Sequence, residues 1–365
     1  MNRKTLLFIA TILLIASVAW GQVTIVPPTV SGTGADTAAN DSLRIASGNL
    51  EDDINAQIAG YLNQPLLAQA IGNAGAASVH VGSQRSYIDY RGFAAVVGGG
   101  FAFSASSFSP SIADDAITTL EQDGDLYAAV AVQPSASLGF PLGFISDDLY
   151  VNFKVGAISL DETLLGDGIS YSAFNIGALV NYQLLETRQL PLGFLRWRGL
   201  SLGSGIIYQQ NELTFDLAFG AVSQAVDSDG DSTDDTTITV DPVLSAVASS
   251  NSVVIPLEAN TGLRILWLID VAVGAGVDVS FGGSEVDLQI NGPVTIVAPA
   301  AGTATDGSVN VGTGTSGDGP DIIRPRVMGS VGVNLGPVKV GVPAMLYFDE
   351  DGNTGLIGLN VGIVW

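Results

Sequence analysis

The sequence contains no cysteine, which rules out disulfides, thiol chemistry and a lipid anchor attached to cysteine. It has one histidine, His80, and no spacing of ligands suited to zinc. Charged residues make up only 13% of the chain, and the 36 Asp and Glu far outnumber the 13 Lys and Arg. So acidic a chain is not expected to bind nucleic acid.

Long apolar runs are also missing, except at the start of the chain. Residues 6–18 are apolar, Arg3 and Lys4 precede them, and small residues flank a cleavage point before Gln22. This pattern predicts a secretory signal peptide over residues 1–21. The run is too short to span a bilayer comfortably. Without Arg3 and Lys4, the mature chain has 11 basic and 36 acidic residues, a net charge of −25.

Apolar residues and glycine are what the chain has in excess. Hydrophobic residues make up 47%, glycine occurs 45 times in 365 residues, and the mean hydropathy is +0.40. This composition suits a protein with one surface facing lipid and another facing water or a crowded interior. Most acidic residues lie outside the segments of alternating polarity, so we expect them in solvated loops.

The last ten residues alternate between apolar and small or polar side chains. A strand edge at the chain end is an aggregation hazard unless the sheet closes, and closure into a membrane barrel removes it. The segment resembles the final strand of bacterial outer-membrane β-barrels, which ends in an aromatic residue. The resemblance implies outer-membrane lipid and the barrel-assembly machinery as partners. The implied membrane-insertion signal is Ile357, Leu359, Val361, Ile363 and Trp365.

The same alternation recurs in segments long enough to cross a bilayer as tilted strands. Near residues 209–212 and 282–283 the apolar residues switch from odd to even positions or the reverse, and so to the other face of the strand. This change of parity is expected either for a hairpin or for one long strand with a bulge. If each of these two segments is one strand, every long acidic segment lies on the same side of the membrane, as outer-membrane barrels require. The predicted strands are 91–104, 127–140, 149–160, 170–184, 200–219, 253–265, 271–291, 323–335, 338–348 and 356–365.

The predicted fold is therefore an all-β transmembrane protein, an antiparallel outer-membrane β-barrel over residues 85–365. Ten strands are expected, with twelve or fourteen as alternatives. The longest acidic extracellular loops are predicted at 220–252 and 292–322, while arginines cluster near the short turns. The predicted location is the outer membrane, reached by export through the signal peptide.

Residues 22–84 are predicted to form an N-terminal extension. Residues 22–43 are expected to be an extended, weakly ordered lead. Asn49 is expected to cap one helix and Pro65 to begin a second, which stops at Gly72 to Gly75, so that the helices fall within about 49–73. They would form a plug inside the barrel, a cover on its periplasmic mouth or a detached periplasmic hairpin. Outer-membrane long-chain fatty-acid transporters carry a similar helical segment, although their plug motif is missing here.

Polar residues within the strands are expected to face inward, because an ionisable group on the lipid face is heavily penalised. They would either line a pathway or pair with one another, and a ten-stranded barrel is closer to the size that side chains fill. The candidates for lining the lumen are Lys154, Asn175, Asn181, Gln183, Glu258, Asn260, Arg264, Asp270, Asp278, Ser330, Asn334 and Lys339.

Residues 227–235 place carboxylates at alternate positions around a glycine, a pattern that can wrap calcium. The segment resembles the calcium loops of thrombospondin type 3 repeats, but Ser232 replaces the second glycine and no second repeat follows. A calcium site and a solvated acidic loop are both open. The metal ligands would be Asp227, Asp229, Asp231, Asp234 and Asp235.

Two functions fit these features. The first is passive or gated transport of small solutes, including hydrophobic ones, with the helices as a plug. The alternative is a surface adhesin that binds host molecules through its acidic loops, and some spirochaete surface adhesins combine a similar signal peptide and barrel pattern. An enzyme is not expected, because His80 precedes the barrel without an evident acid partner and no nucleophile motif is present. No cofactor other than calcium is expected.

Overall fold

The computed structural model describes residues 23–31, 36–59, 64–82, 92–105, 128–191, 193–218, 221–226, 236–241, 243–296, 303–311 and 314–364. Strands predominate in these ranges, as the alternating sequence predicts. In chain order the elements are β1 (Val23–Val26), β2 (Thr29–Ser31), α1 (Asp36–Ala59), α2 (Gln64–Ser78), β3 (Ala94–Ala105), β4 (Ala128–Pro141), β5 (Leu149–Leu160), α3 (Glu162–Leu165), β6 (Ile169–Leu185), β7 (Arg188–Gln189), β8 (Leu195–Ala218), β9 (Val222–Val226), β10 (Thr236–Val240), β11 (Val243–Ile265), β12 (Ile269–Ile296), β13 (Thr303–Thr305), β14 (Gly307–Val311), β15 (Gly314–Asp318), β16 (Ile323–Leu335), β17 (Val338–Asp349) and β18 (Gly352–Val364).

Ten of these strands close into an antiparallel barrel, which confirms the predicted fold and strand number. Their order is β3, β4, β5, β6, β8, β11, β12, β16, β17 and β18, and β18 pairs back onto β3. The closing ladder joins Val364 to Ala94 at one end and Asn353 to Ala105 at the other. Closure gives each of the ten strands a paired neighbour on both sides, so that the sheet has no edge strand, as a sheet that crosses a membrane requires.

The apolar side chains that alternate along the strands form the outer surface of the barrel. The side chains of Ile357, Leu359, Val361 and Ile363 are 40%, 52%, 39% and 41% exposed, and their inward neighbours Leu356 and Asn360 are buried. Trp365, the last residue of the predicted insertion signal, lies outside the described residues. An apolar band of this kind faces the hydrocarbon of the membrane.

The two segments that change parity are single strands, β8 and β12, but the predicted bulges are wrong. Pairing of β8 with β11 runs without a shift through residues 209–212, and pairing of β12 with β11 runs without a shift through 282–283. Ile207 and Phe215 both point inward and are buried. The polarity changes because these strands leave the membrane there, so that their outward face meets water instead of lipid.

Strand length distinguishes the two ends of the barrel. At one end the turns are short, such as the connection of residues 336–337 between β16 and β17, and the C-terminal strand ends there. At the other end β8, β11 and β12, of 24, 23 and 28 residues, continue past their neighbours. Short turns are periplasmic in outer-membrane barrels, so the long strands project outward from the cell.

The projecting strands carry an outer layer of additional structure. In it β12 pairs with β10 and β14, β10 pairs with β9, and β14 pairs with β1. Helix α1 contacts β1, β2 and β9, and both Leu43 of α1 and Val240 of β10 are fully buried. The predicted loops 220–252 and 292–322 therefore need correction, since β9 to β11 and β12 to β15 occupy much of them. We call this assembly the outer layer.

The N-terminal segment also differs from the prediction. Helix α1 begins at Asp36, so Asn49 lies within it and caps nothing, and residues 23–31 form strands of the outer layer. Helix α2 does not stop at Gly72 but continues to Ser78, since close packing overrides the helix-breaking tendency of glycine. None of the described helices has the length and apolar character needed to span a bilayer.

Candidate functional site

Helix α2 lies in the lumen of the barrel, where it contacts β3, β4, β8, β11, β12 and β18. Of the predicted placements, the structure thus shows the plug, while α1 belongs to the outer layer and not to a periplasmic cover. Alanine and glycine dominate α2, so that the helix is thin enough for a barrel of ten strands. A Cβ on Gly75 would lie 2.4 Å from Ser250 Oγ, and one on Gly72 would lie 2.8 Å from the backbone nitrogen of Pro320. The glycines permit this close approach of helix and wall.

The C-terminal end of α2 is held by a buried lysine on β5. Lys154 Nζ donates hydrogen bonds to the carbonyl oxygens of Val79 and Val81, the latter at 2.7 Å. Carbonyls just past a helix lack partners in the helix and lie at the negative end of its dipole, where a cation is stabilising. Lys154 was predicted to face inward, and its role in the structure is to anchor the plug.

His80, immediately after α2, belongs to a buried cluster of ionisable groups. Its Nε2 lies 2.6 Å from Asp278 Oδ2, which also accepts a hydrogen bond of 3.0 Å from the Tyr347 hydroxyl. Arg326 donates from Nε to Asp278 Oδ1 and from Nη2 to Glu258 Oε2, both at 2.8 Å. The expectation that His80 has no acid partner is wrong, because β12 brings in Asp278 from 198 residues away in sequence.

A second cluster holds α2 near the outer end of the barrel. Arg324 binds Asp349 through two hydrogen bonds of 2.8 and 3.1 Å and donates a third, of 2.8 Å, to the carbonyl oxygen of Asn73. The side chains of Gln69 and Asn73 donate to Asp321 at 2.6 and 3.2 Å. The guanidinium of Arg324 also lies 4.4 Å from the centre of the Tyr347 ring, which links the two clusters.

A third cluster lies at the periplasmic end of the barrel. Asp270 accepts hydrogen bonds from Arg198 at 2.6 Å and from Arg264 at 2.9 and 3.3 Å. Asn334 donates to the same carboxylate and accepts from Lys339. These predicted lumen residues pair with one another instead of lining an open path.

The opposite arc of the wall, from β18 through β3 and β4 to β6 and β8, is lined mainly by uncharged residues. Gln133 on β4 accepts a 2.6 Å hydrogen bond from Ser78 Oγ of the plug, and Asn360 on β18 accepts one of 3.2 Å from the backbone N–H of Gly82. Some buried polar atoms here have no hydrogen-bond partner among the described residues. They include Gln133 Nε2, Ser135 Oγ, Asn175 Oδ1, Gln209 Oε1 and Asn211 Nδ2.

The remaining predicted residues divide between these regions. Asn175, Asn260, Ser330 and Asn334 are buried inside the barrel, whereas Asn181 and Gln183 are partly exposed. The predicted calcium ligands at 227–235 lie outside the described residues, so that site stays a prediction. In the part of the chain that the structure describes, no three acidic or histidine side chains form a group suited to a metal.

Sequence reasoning missed Arg324, Arg326 and Tyr347, which carry much of the charged network. The signal was present, since Arg324 and Arg326 have one residue between them in a segment predicted to be a membrane strand. Two arginines of the same parity must both face the lumen, because the lipid face would penalise them. The buried side chains confirm this, with Arg324 at 0% and Arg326 at 2% exposure.

The closed ring of ten antiparallel strands with an apolar outer face defines an outer-membrane β-barrel. The chain belongs to the Lsa36-like family, whose model matches residues 19–365. A search of curated proteins found no match.

Several solved outer-membrane proteins are similar in fold. The translocator domain of the autotransporter NalP from Neisseria meningitidis is 9% identical with a TM-score of 0.29, covering 75% of this chain and 88% of that one. A Pseudomonas aeruginosa FadL homologue is 10% identical with a TM-score of 0.24, covering 84% and 97%. The attachment protein Ail of Yersinia pestis is 9% identical with a TM-score of 0.20, covering 75% and 99%. Scores this low carry no argument about function.

Proposed function

We propose that this protein is a binding barrel of the cell surface, which holds a basic partner macromolecule through its outer layer. The observation that carries the proposal is that different parts of the chain fill the lumen and build the outer layer. The lumen is filled by α2, whereas β1, β2, α1, β9, β10 and β12 to β15 build a folded assembly above the membrane. A protein that only spans the membrane has no need of a 28-residue strand that extends into such a layer.

The charge of the outer layer indicates the chemistry of the partner. In sequence, Arg44 is the one basic residue of the segments 23–59, 209–252 and 282–322, whose described parts form the outer layer. Exposed carboxylates such as Glu212, Asp216 and Glu285 face outward on the projecting strands. An acidic surface of this kind attracts lysine-rich or arginine-rich patches and repels acidic ones. Binding of this type weakens as salt concentration rises.

The proposal includes a location for the N-terminus. Helix α1 lies in the outer layer, α2 occupies the lumen, and β3 begins at the periplasmic end, where Ala94 pairs with Val364. The mature chain therefore passes from outside the cell through its own barrel. An epitope tag placed before Val23 is expected to be accessible to antibody on intact cells, and labelling that requires permeabilised cells would contradict this arrangement.

Binding is tested with the barrel reconstituted in neutral lipid vesicles and a lysine-rich peptide as the probe. Neutralising the outer face with Glu212→Gln, Asp216→Asn and Glu285→Gln is expected to weaken binding about fivefold, since each exposed charge contributes a fraction of a kcal/mol. The matched control changes Asp147→Asn and Asp148→Asn in a periplasmic turn and is expected to bind normally. Equal binding by the wild-type protein, the neutralised variant and the control would show that the outer layer does not bind the peptide.

Transport of small solutes is a second candidate, favoured by the uncharged arc of the wall. The contacts between the plug and that arc that the structure describes are hydrogen bonds to uncharged groups, including those that Lys154 donates to backbone carbonyls, and none of these is an ion pair. Transport requires such movement, because α2 fills the lumen in this structure.

A further inference from the structure

The wall of the barrel has an incomplete seam between β4 and β5. Their ladder runs only from Ala136 with Val155 to Pro141 with Tyr150, although β4 begins at Ala128 and β5 continues to Leu160. The neighbouring ladders of β3 with β4 and of β5 with β6 each extend over the whole length of the shorter strand. Among the described residues, the outer half of β5 thus pairs on one side only.

Side chains from β6 replace the missing backbone bonds of β4. The hydroxyl of Tyr171 accepts from the Val132 N–H at 2.9 Å and donates to the Val132 carbonyl at 2.7 Å. Asn175 Nδ2 donates to the carbonyl of Pro134 at 3.1 Å, and Pro134 itself has no N–H to offer to β5. Because β4 is bonded past β5 to β6, the edge of β5 at 156–160 has no ladder partner on the β4 side among the residues that the structure describes.

An apolar groove lies on the outer surface directly below this seam. Its volume is about 690 Å³, within the range of small-molecule sites. Its outward-facing lining includes the last paired residues of the seam, Ala136 and Val155, together with Leu138, Phe153 and Ile176. Ala95 and Ala136 create the hollow, since their methyl groups stand among larger side chains. The groove faces the hydrocarbon of the membrane, so an acyl chain is the molecule that meets it.

We propose that the groove and the seam together bind one glycerophospholipid of the membrane. The acyl chain occupies the groove, and the ester and phosphate oxygens accept hydrogen bonds from the β5 edge above it. Unpaired backbone groups at the membrane surface are costly, and a lipid head supplies partners for them. This site is independent of the binding function proposed for the outer layer.

The test is native mass spectrometry of the whole barrel released from vesicles of phosphatidylethanolamine and phosphatidylglycerol. The wild-type protein is expected to retain one phospholipid per barrel, and Ala136→Phe, which fills the groove, is expected to lower the retained fraction at least fivefold. Ala275→Phe is the matched control, because Ala275 also faces lipid but lies on β12 away from the groove. It is expected to retain the lipid as the wild-type protein does.

Four results would overturn the proposal. Three are no stoichiometric phospholipid on the wild-type protein, equal retention by Ala136→Phe, and an equal loss in Ala275→Phe. The fourth, from a second set of vesicles that also contains lipopolysaccharide, is exclusive retention of lipopolysaccharide. Heat modifiability in gel electrophoresis shows whether Ala136→Phe folds. If it does not, Ala95→Phe on β3 fills the same groove from its other side, and the same fivefold loss of retained lipid is expected for it.

Discussion

The two sides of the barrel lumen hold the same helix by different means. On the charged side, Arg326 of β16 pairs with Glu258 of β11 and Asp278 of β12, and Arg324 of β16 pairs with Asp349 of β17, all at 2.8 Å. On the uncharged side, from β18 to β8, α2 is held mainly by hydrogen bonds and close packing against glycine. The contrast indicates that the charged side fixes the position of the plug, while the uncharged side accommodates its shape.

The largest effect is expected from removal of the plug itself. Deletion of residues 22–82 takes away α2 together with the outer strands that precede it, and should convert a closed barrel into a conducting one in planar bilayers. Conductance should rise from background to discrete channels, because the polar groups that α2 covers would then face water. Full-length protein is the control, and a deletion variant that folds but stays closed would show that side chains of the wall alone fill the lumen.

The second-largest effect is expected from removal of the Arg326 guanidinium, which lies at the centre of the charged side. Arg326→Met leaves Asp278 and Glu258 without their guanidinium in a buried site, and removal of one partner from a buried pair costs about 3 to 5 kcal/mol. The free energy of unfolding in urea, measured in vesicles, is expected to fall by this amount.

The matched control for this variant is Arg44→Gln. Arg44 forms an ion pair with Asp41 of 3.7 Å on the surface of α1, where both side chains are exposed, so we expect stability to be nearly unchanged. If Arg326→Met were as stable as this control, the charged side would not be what fixes the plug.

Much of the fold could be predicted because lipid imposes a strict rule on alternation. The ten strands, the outward face of β18 and the inward position of Asp270 and Asp278 all follow from excluding charge from the lipid face. The rule fails where the strands leave the membrane. The switch of apolar residues between faces in β8 and β12 therefore suggested bulges, although pairing with β11 shows no shift at those positions.

Contacts between distant parts of the chain could not be predicted in this way. His80 and Asp278 become partners only because α2 enters the lumen at the level of β12, and no local pattern in the sequence records that depth. The end of α2 was misplaced for a related reason. Gly72 and Gly75 indicate helix termination when considered alone, whereas against the wall of the barrel they are what allows the helix to continue.

The smallest effect concerns the packing of α2 against β8 and β11, where the two sides of the lumen meet, and it rests on one methyl group. In Gly75→Ala the new Cβ would lie 2.4 Å from Ser250 Oγ and 2.9 Å from Gln209 Nε2, so these side chains must shift. We expect a loss of about 1 to 2 kcal/mol in the free energy of unfolding, as for overpacking elsewhere.

Gly48→Ala is the control for this methyl group, because Gly48 lies in α1 with open space around its Cβ position. Alanine is the better helix former, so this variant should gain about 0.5 to 1 kcal/mol. Opposite signs for the same substitution in the two helices would show that α2 is limited by contact with the wall. A gain at both positions would mean that the uncharged side yields to the plug, and that the charged side alone determines where α2 lies.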